Sequence, residues 1–241
     1  MERQPSVRRI SGREAVQRAL EAGAEVRLLL VDENAGSGAL LRLLESARSR
    51  GIAVRTATRR VMQRFSERAP SEVLALVGRD PDAGVEPMLA AGGAVWLLVG
   101  VAYPGNVGMA IRTAEVSGAE GIAIQADFDH EGRRAALRAS MRADRFMPVH
   151  WCGPEIVLDA AERLGHSVFA LDEAGESAPW QLDLTGGRVF VVGGETGGIP
   201  DETLRRCHAR IRVPMAGFIP CYNLQAAVSA VAAERLRQQA D

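Results

Sequence analysis

Short apolar runs alternate with amphipathic stretches along almost the whole chain, and no other feature narrows its possible folds as much. Runs such as EVRLLLVDE (25–33), AVWLLVGV (94–101), GIAIQA (121–126) and RVFVVGG (188–194) read as strands. IAVRTAT (52–58), SEVLALVGR (71–79), FMPVHW (146–151), HSVFALD (166–172) and ARIRVPM (209–215) add five more. Between them, helical spacing or helix signals mark 11–23, 38–51, 59–68, a loop entering a helix over 104–119, and then 131–145, 153–165, 199–207 and 223–239. Ser11 is expected to cap the first helix, with Glu14 three residues later and Gly23 at its end. Strand–helix alternation of this kind predicts α/β architecture with a mostly parallel sheet, whose ligands bind beyond the carboxyl ends of the strands.

The series is interrupted once. DPDAGVEPMLAAGG (80–93) is rich in proline, glycine and small residues, so residues 80–92 are expected to link a small α/β domain (1–79) to a larger one (93–241). Charge divides at the same place. Residues 1–79 hold 15 Arg against 9 Asp and Glu, a net of +6, and residues 80–241 hold 14 against 21, a net of −7. All 29 basic residues are Arg, a side chain that forks onto phosphates and stacks on bases. A basic first half suggests a polyanion partner. Three scattered cysteines form no disulfide framework or metal spacing, which fits a reducing cytoplasm, and no metal is expected. The start MERQPSVRRISGRE has no apolar segment behind its charges, and no run is long enough to cross a bilayer, so neither a secretory leader nor a membrane partner is expected.

Three strand-to-helix junctions concentrate the candidate chemistry. In YPGNVGMAIRTAEVSGAEG (103–121), Asn106 and Gly108 are expected in the loop, with Arg112 one turn into the helix. There Arg112 either meets an anion or lies exposed beside Glu115. In VVGGETGGIPDE (191–202), two glycine pairs flank Glu195. Glycines after a strand let backbone approach a ligand, and a carboxylate among them argues against a triphosphate. In IRVPMAGFIPCYNLQAAVSA (211–230), Asn223 stands at a helix start, as a cap or as a site residue. Neither a P-loop nor a dinucleotide fingerprint is present.

The ordered set N-x-G-x-x-x-R-T-A-x-x-x-G, V-G-G-E-x-x-G-I and V-P-M-x-G-x-x-x-C-Y-N-L resembles the SpoU (TrmH) family of RNA ribose 2′-O-methyltransferases, of the SPOUT class, over about residues 93–239. The first 79 residues resemble, more weakly, the ribosomal-protein-like RNA-binding domain that many members carry. The resemblance implies a parallel sheet whose C-terminal part forms a trefoil knot, an arrangement that ordinary folds avoid. It implies S-adenosylmethionine bound there by Gly193, Gly198, Val213, Met215 and Tyr222. It implies Arg112 at the centre of catalysis, Asn106 and Asn223 orienting Arg112 and the ribose, Glu195 organising local charge, and a homodimer. Ribosomal RNA is the first expected substrate and transfer RNA the second. A catalytically silent RNA-binding protein on the same scaffold is the alternative.

Four positions depart from the family pattern. Cys221 and Gln225 stand where many members have Ser, Tyr222 replaces a Leu, and Arg142 replaces a Gly. Arg134, Arg138 and Arg142 recur every four residues and Arg145 follows. On a helix they would form one stripe, either a solvated face with Asp144 nearby or a phosphate-tracking ridge next to the active site.

Overall fold

The computed structural model describes residues 9–66 and 70–240. The chain divides into two compact units after Pro81.

The first unit contains β1 (Arg9–Ser11), α1 (Arg13–Glu21), β2 (Val26–Asp32), α2 (Gly38–Ser49), β3 (Ala53–Ala57), α3 (Arg59–Phe65) and β4 (Val73–Val77). Its sheet runs β1-β4-β2-β3, with β2 and β3 parallel and β4 antiparallel to both β1 and β2. Ser11 does not cap α1. It closes β1 opposite Leu74, and Gly12, at φ 97°, turns the chain into the helix with no side-chain cap. Ser37 does cap α2, accepting from Leu40 N at 3.3 Å. One face of the sheet packs Leu29, Val31, Val73 and Ala75 against Val16 and Leu20 of α1 and Leu40, Leu43 and Leu44 of α2. Residues 67 and 68, expected to end the third helix, lie outside the described residues, as do residues 1–8.

The second unit contains α4 (Val85–Ala90), β5 (Ala94–Val99), α5 (Pro104–Val116), β6 (Gly121–Gln125), α6 (His130–Ala139), β7 (Val149–Trp151), α7 (Pro154–Arg163), β8 (Ser167–Leu171), β9 (Arg188–Gly193), α8 (Asp201–Leu204), β10 (Ala209–Ile211) and α9 (Leu224–Ala240). Its sheet is parallel throughout, in the order β10-β8-β9-β5-β6-β7. Helices α5, α6 and α9 cover one face; α4 and α7 cover the other. The segment read as a linker therefore carries a helix whose Met88 and Leu89 are buried in this unit. Its proline and glycine content hid two apolar residues one turn in. Trp96 and Phe190 sit on neighbouring strands with ring centroids 5.0 Å apart. Such a contact adds about 0.5–1.5 kcal/mol to the burial of the two rings.

From β5 the chain moves outward through β6 and β7, then crosses to β8 on the other side. The reversal puts a crevice outside the carboxyl ends of β5 and β9, the place where ligands bind in open parallel sheets. Register aligns the strand ends there: Val99 pairs with Gly193, Leu171 with Val192, and Leu171 with Ile211.

Two segments differ from expectation in ways that matter for the site. Asn106 and Gly108 lie inside α5, because Pro104 starts the helix; Pro at the first helical position loses no needed N–H and presets φ. Gly108 is buried where α5 crosses α6, and a Cβ there would sit 2.5 Å from Ala139 Cβ. The expected helix over 131–145 ends at Ala139. Met141 and Arg142 follow at φ 56° and 65°, then a 3-10 turn over Ala143–Arg145. Arg134 and Arg138 share a helical face, and Arg142 does not belong to it.

Candidate functional site

The loops leaving β5 and β9 meet at the crevice. Gly194 N donates to Val99 O at 2.8 Å, and a Cβ on Gly194 would overlap the carbonyl of Gly100. Residues 194–198 form a tight turn closed by Gly198 N to Gly194 O at 3.0 Å, with Gly198 at φ 62°. A Cβ on Gly193 would collide with the backbone of Gly198. At these positions glycine is required by backbone passing backbone, not by loop flexibility.

Glu195 sits in that turn and is held from two sides. Its Oε2 accepts from Ala102 N at 3.2 Å, and its Oε1 from Asn106 Nδ2 at 2.6 Å. Asn106 Oδ1 accepts from Asn223 Nδ2 at 3.1 Å, and Asn223 Oδ1 accepts from Gln225 N at 3.0 Å. Donor and acceptor rules fix both amides. A backbone N–H must donate and a carboxylate can only accept, so each Asn has one orientation that satisfies its neighbours. Asn223 is thus both a cap at the start of α9 and a member of the chain. The three junctions singled out in the sequence, at 103–121, 191–202 and 211–230, are tied together through Ala102, Glu195, Asn106 and Asn223.

Arg112 is placed differently. It is exposed, and among the described residues its guanidinium makes no hydrogen bond or ion pair, with Glu115 or with any other residue. The hydrogen bonds of the Asn106 and Asn223 side chains go to one another, to Glu195 and to Gln225 N, not to Arg112. Arg112 shares an exposed stripe of α5 with Met109 and Val116.

Of the residues expected around the methyl donor, Gly193 and Gly198 face each other across the turn. Val213 packs against the core beside α9, and Met215 is half-buried. Tyr222 is 48% exposed, with its hydroxyl donating to Pro214 O at 3.1 Å. That bond closes the loop 214–222 on itself. Phe218 and Ile219 project from it fully or largely exposed. Cys221 is exposed in the same loop. The other two thiols are inert by environment: burial raises the Cys152 thiol and pushes Cys207 up to about 11.

On α6, Arg133 stacks on Trp151, 5.3 Å from the ring centroid, while Arg134 and Arg138 line an open groove with Asp129, His130 and Glu131. One contributor escaped the reading of the sequence. Gln125 Oε1 accepts from Gly100 N at 2.6 Å, steadying the loop after β5. Its signal was a polar residue ending the otherwise apolar GIAIQ. Among the described residues, no group of three or more His, Cys, Asp or Glu could hold a metal ion, and no helix is long and apolar enough to cross a membrane.

Residues 94–233 match the SpoU rRNA Methylase family, and residues 9–80 match the RNA 2′-O ribose methyltransferase substrate-binding family. The chain is 29% identical over 240 residues to the 23S rRNA (guanosine-2′-O-)-methyltransferase RlmB of Xylella fastidiosa, covering 95% of this chain and 96% of that one. The protein of the same name from Xanthomonas axonopodis is 26% identical over 244 residues, with the same coverage. Among solved structures, the SpoU methyltransferase AviRb from Streptomyces viridochromogenes, in complex with AdoMet, superposes with a TM-score of 0.58 at 25% identity, covering 95% of this chain and 89% of that one. An AdoMet-bound rRNA methyltransferase from Sinorhizobium meliloti shares the fold, with a TM-score of 0.59 at 24% identity over 95% of this chain and 86% of its own.

Proposed function

The chain belongs to the SpoU rRNA methylase family, whose model spans more than half of it, and from that premise we propose how its site works and on which RNA. The protein is an S-adenosylmethionine-dependent RNA 2′-O-ribose methyltransferase with an N-terminal substrate-binding domain. The finer substrate is a guanosine of 23S ribosomal RNA, because relatives aligned along nearly their full length carry that activity in their names; transfer RNA is the second candidate. The family assignment and the AdoMet-bound relatives leave no support for a catalytically silent scaffold. An RNA substrate of this kind places the reaction in the cytoplasm.

The observation that carries the reading of the site is the hydrogen-bonded chain Ala102–Glu195–Asn106–Asn223. It joins all three motif segments at the switch point of a parallel sheet. Backbone cradles that exclude a Cβ at Gly193 and Gly194 fit a cofactor held mainly by main-chain groups. Gly193, Gly198, Val213, Met215 and Tyr222 would supply that cradle. The cofactor, when bound, supplies an electrophilic methyl group. What remains for the chain is to align a weakly nucleophilic ribose hydroxyl and stabilise the charge that develops on its oxygen. Arg112 suits that task as an anchor for the target phosphate and the alkoxide, not as a base, because a guanidinium keeps its proton in proteins. Glu195, Asn106 and Asn223 hold the turn that faces the cofactor. Arg134 and Arg138 contact RNA from the groove of α6, and Arg142 from the turn behind it.

Three structural proposals accompany this. Residues 1–79 form the substrate-binding domain and 93–241 the catalytic domain, with α4 packed onto the latter. The C-terminal segment is threaded as a trefoil knot. Supporting this, Ser177 bridges to Ile211, and the backbone at Gly175 passes so close that a Cβ there would lie 2.8 Å from Arg212 N. The protein works as a homodimer, for which the exposed Met109, Val116, Phe218 and Ile219 offer apolar surface.

Incubation with labelled cofactor and unmodified 23S rRNA, followed by mapping of the methylated position, tests the function. Label in no RNA rejects it. Arg112→Ala is expected to abolish transfer while leaving cofactor affinity, measured by calorimetry, within about threefold. Near-normal turnover excludes Arg112 from the central role.

A further inference from the structure

The +6 net charge of residues 1–79 is not spread over the first unit. Residues 46–66, from the end of α2 through β3 and α3, hold six Arg (Arg48, Arg50, Arg55, Arg59, Arg60 and Arg64) and no Asp or Glu. The rest of 1–79 holds nine Arg and nine acidic residues. The whole excess therefore lies in one segment, which runs from the terminal strand β3 into α3, a helix packed on the interior strands β2 and β4.

Outside the segment some arginines are paired, while Arg18 and Arg42 are exposed without a partner among the described residues. Arg13 pairs with Glu72 at 3.5 Å, and Arg27 lies 3.6 Å from Glu25. Inside it, two arginines have structural work: Arg50 Nη1 donates to Leu20 O at 2.9 Å, at the end of α1, and Arg59 lies 3.6 Å from the buried Asp32 while its side chain stays 64% exposed. Arg55 faces away from Val54, which packs with α1 and α2. It therefore lies on the sheet face opposite those helices. Arg60 and Arg64, four apart on α3, are neighbours on one helical face, exposed and without a partner among the described residues. A charge that merely guards an edge strand from pairing would sit on the strand itself; Arg60 and Arg64 do not.

We propose that α3, with the β3 segment leading into it, is the phosphate-tracking surface of the first unit, the face on which it holds the RNA backbone independently of base sequence. The proposal rests on the RNA-methylation reading above. An unpaired guanidinium on a short exposed helix gives up no scaffold bond when it meets a phosphate chain, and it is ready to release counterions from that chain.

The test is the salt dependence of binding to an unmodified 23S rRNA transcript by the full chain. Two lost phosphate contacts reduce the slope of log K against log salt by about 1.4–1.8. Arg60→Ala/Arg64→Ala should show that reduction, which amounts to about 40-fold weaker binding at 0.1 M relative to 1 M salt. Arg60→Lys/Arg64→Lys should restore most of it. Arg18→Ala/Arg42→Ala removes the same charge from exposed positions of α1 and α2 and should leave the slope near that of the unmodified chain. Unchanged calorimetric affinity for S-adenosylmethionine and an unchanged Tm identify folded variants. Equal slopes in the two alanine pairs, or an unchanged slope in Arg60→Ala/Arg64→Ala while the parent chain still methylates RNA, overturn the α3 surface and leave the function standing; the second result also follows if that surface serves an acidic protein. A parent chain that neither methylates RNA nor binds it with a salt slope overturns both.

Discussion

The substitution Asn106→Asp changes one amide nitrogen into an oxygen and leaves the shape of α5 untouched. In the parent chain that nitrogen donates to Glu195 Oε1 at 2.6 Å. The variant loses a hydrogen bond to a charged acceptor, worth about 1.5–3 kcal/mol, and sets two carboxylates against each other. At roughly 1.4 kcal/mol per factor of ten, the bond alone corresponds to about a 10- to 100-fold loss in the population of the closed turn, and repulsion adds to it. If that turn is the cofactor's cradle, calorimetry at pH 8 should show S-adenosylmethionine affinity weakened by at least tenfold, with methyl transfer reduced in parallel at subsaturating cofactor. The pH dependence separates this cause from simple misfolding. Adjacent carboxylates raise the pKa of one of them. The proton gained as pH falls restores a donor between the introduced carboxyl group and Glu195. The deficit should therefore shrink between pH 8 and pH 5.5, while the parent chain changes little over that window. Affinity equal to the parent at pH 8, or a deficit indifferent to pH, refutes the role given to the Glu195–Asn106 bond.

Three further perturbations follow from the geometry. Gly194→Ala forces a methyl group into the backbone of Gly100 and Val101, 3.1 Å from Val101 N; with no flexible side chain to yield, about 1–3 kcal/mol of destabilisation is expected, read as a Tm lower by several degrees, and an unchanged Tm contradicts the close passage. Arg142→Gly should raise Tm slightly, because Arg142 holds φ 65° and relief of about 1–2 kcal/mol of left-handed strain outweighs the roughly 0.5–1 kcal/mol entropy cost of glycine; a fall in Tm means the Arg142 side chain stabilises the turn. Burial, and then Arg188, lower the pKa of His166, whose buried Nδ1 has no hydrogen-bond partner among the described residues. The unfolded chain therefore takes up the proton first: this contribution to stability is complete above about pH 6.5 and declines as pH falls toward the lower folded value. Thermal unfolding from pH 8 to 5 should show that decline in the parent and lose it in His166→Gln.

Much of the second unit was legible because its central strands are mostly apolar and its helices are punctuated by glycine. The parallel sheet follows from that pattern, whereas the meeting of the three distant junctions in one site is what the family resemblance implies. What escaped follows from forces that act across the chain. Ser11 has the chemistry of a helix cap, yet pairing with β4 draws it into a strand, since a ladder partner sixty residues away is invisible to local propensity. Met88 and Leu89 sit among the punctuation of a linker and are nonetheless buried, because two apolar side chains suffice to dock one turn of helix. The arginine stripe was inferred from four-residue spacing alone, and spacing cannot register that the backbone at Met141 and Arg142 turns left-handed. At the site, residue types were readable but their pairing was not. Nothing in the spacing of Asn106, Arg112 and Glu195 says which of the first two the carboxylate engages.

That choice has a consequence for how the site divides its work. Had Glu195 paired with Arg112, the guanidinium would need to leave a carboxylate each time a phosphate arrived, and the exchange would offset most of the gain in charge-assisted bonding. With Asn106 on Glu195 instead, the glycine turn is braced by a neutral amide that no RNA competes for. Arg112 stands exposed with its donors unengaged among the described residues. The same division recurs on α3, where Asp32 holds Arg59 while Arg60 and Arg64 remain unpaired among the described residues. In both units the polar bonds that hold the scaffold are made by residues other than the arginines left open to a polyanion. Removing those open arginines should therefore lower RNA affinity or turnover without lowering Tm, whereas removing the bracing residues should lower both.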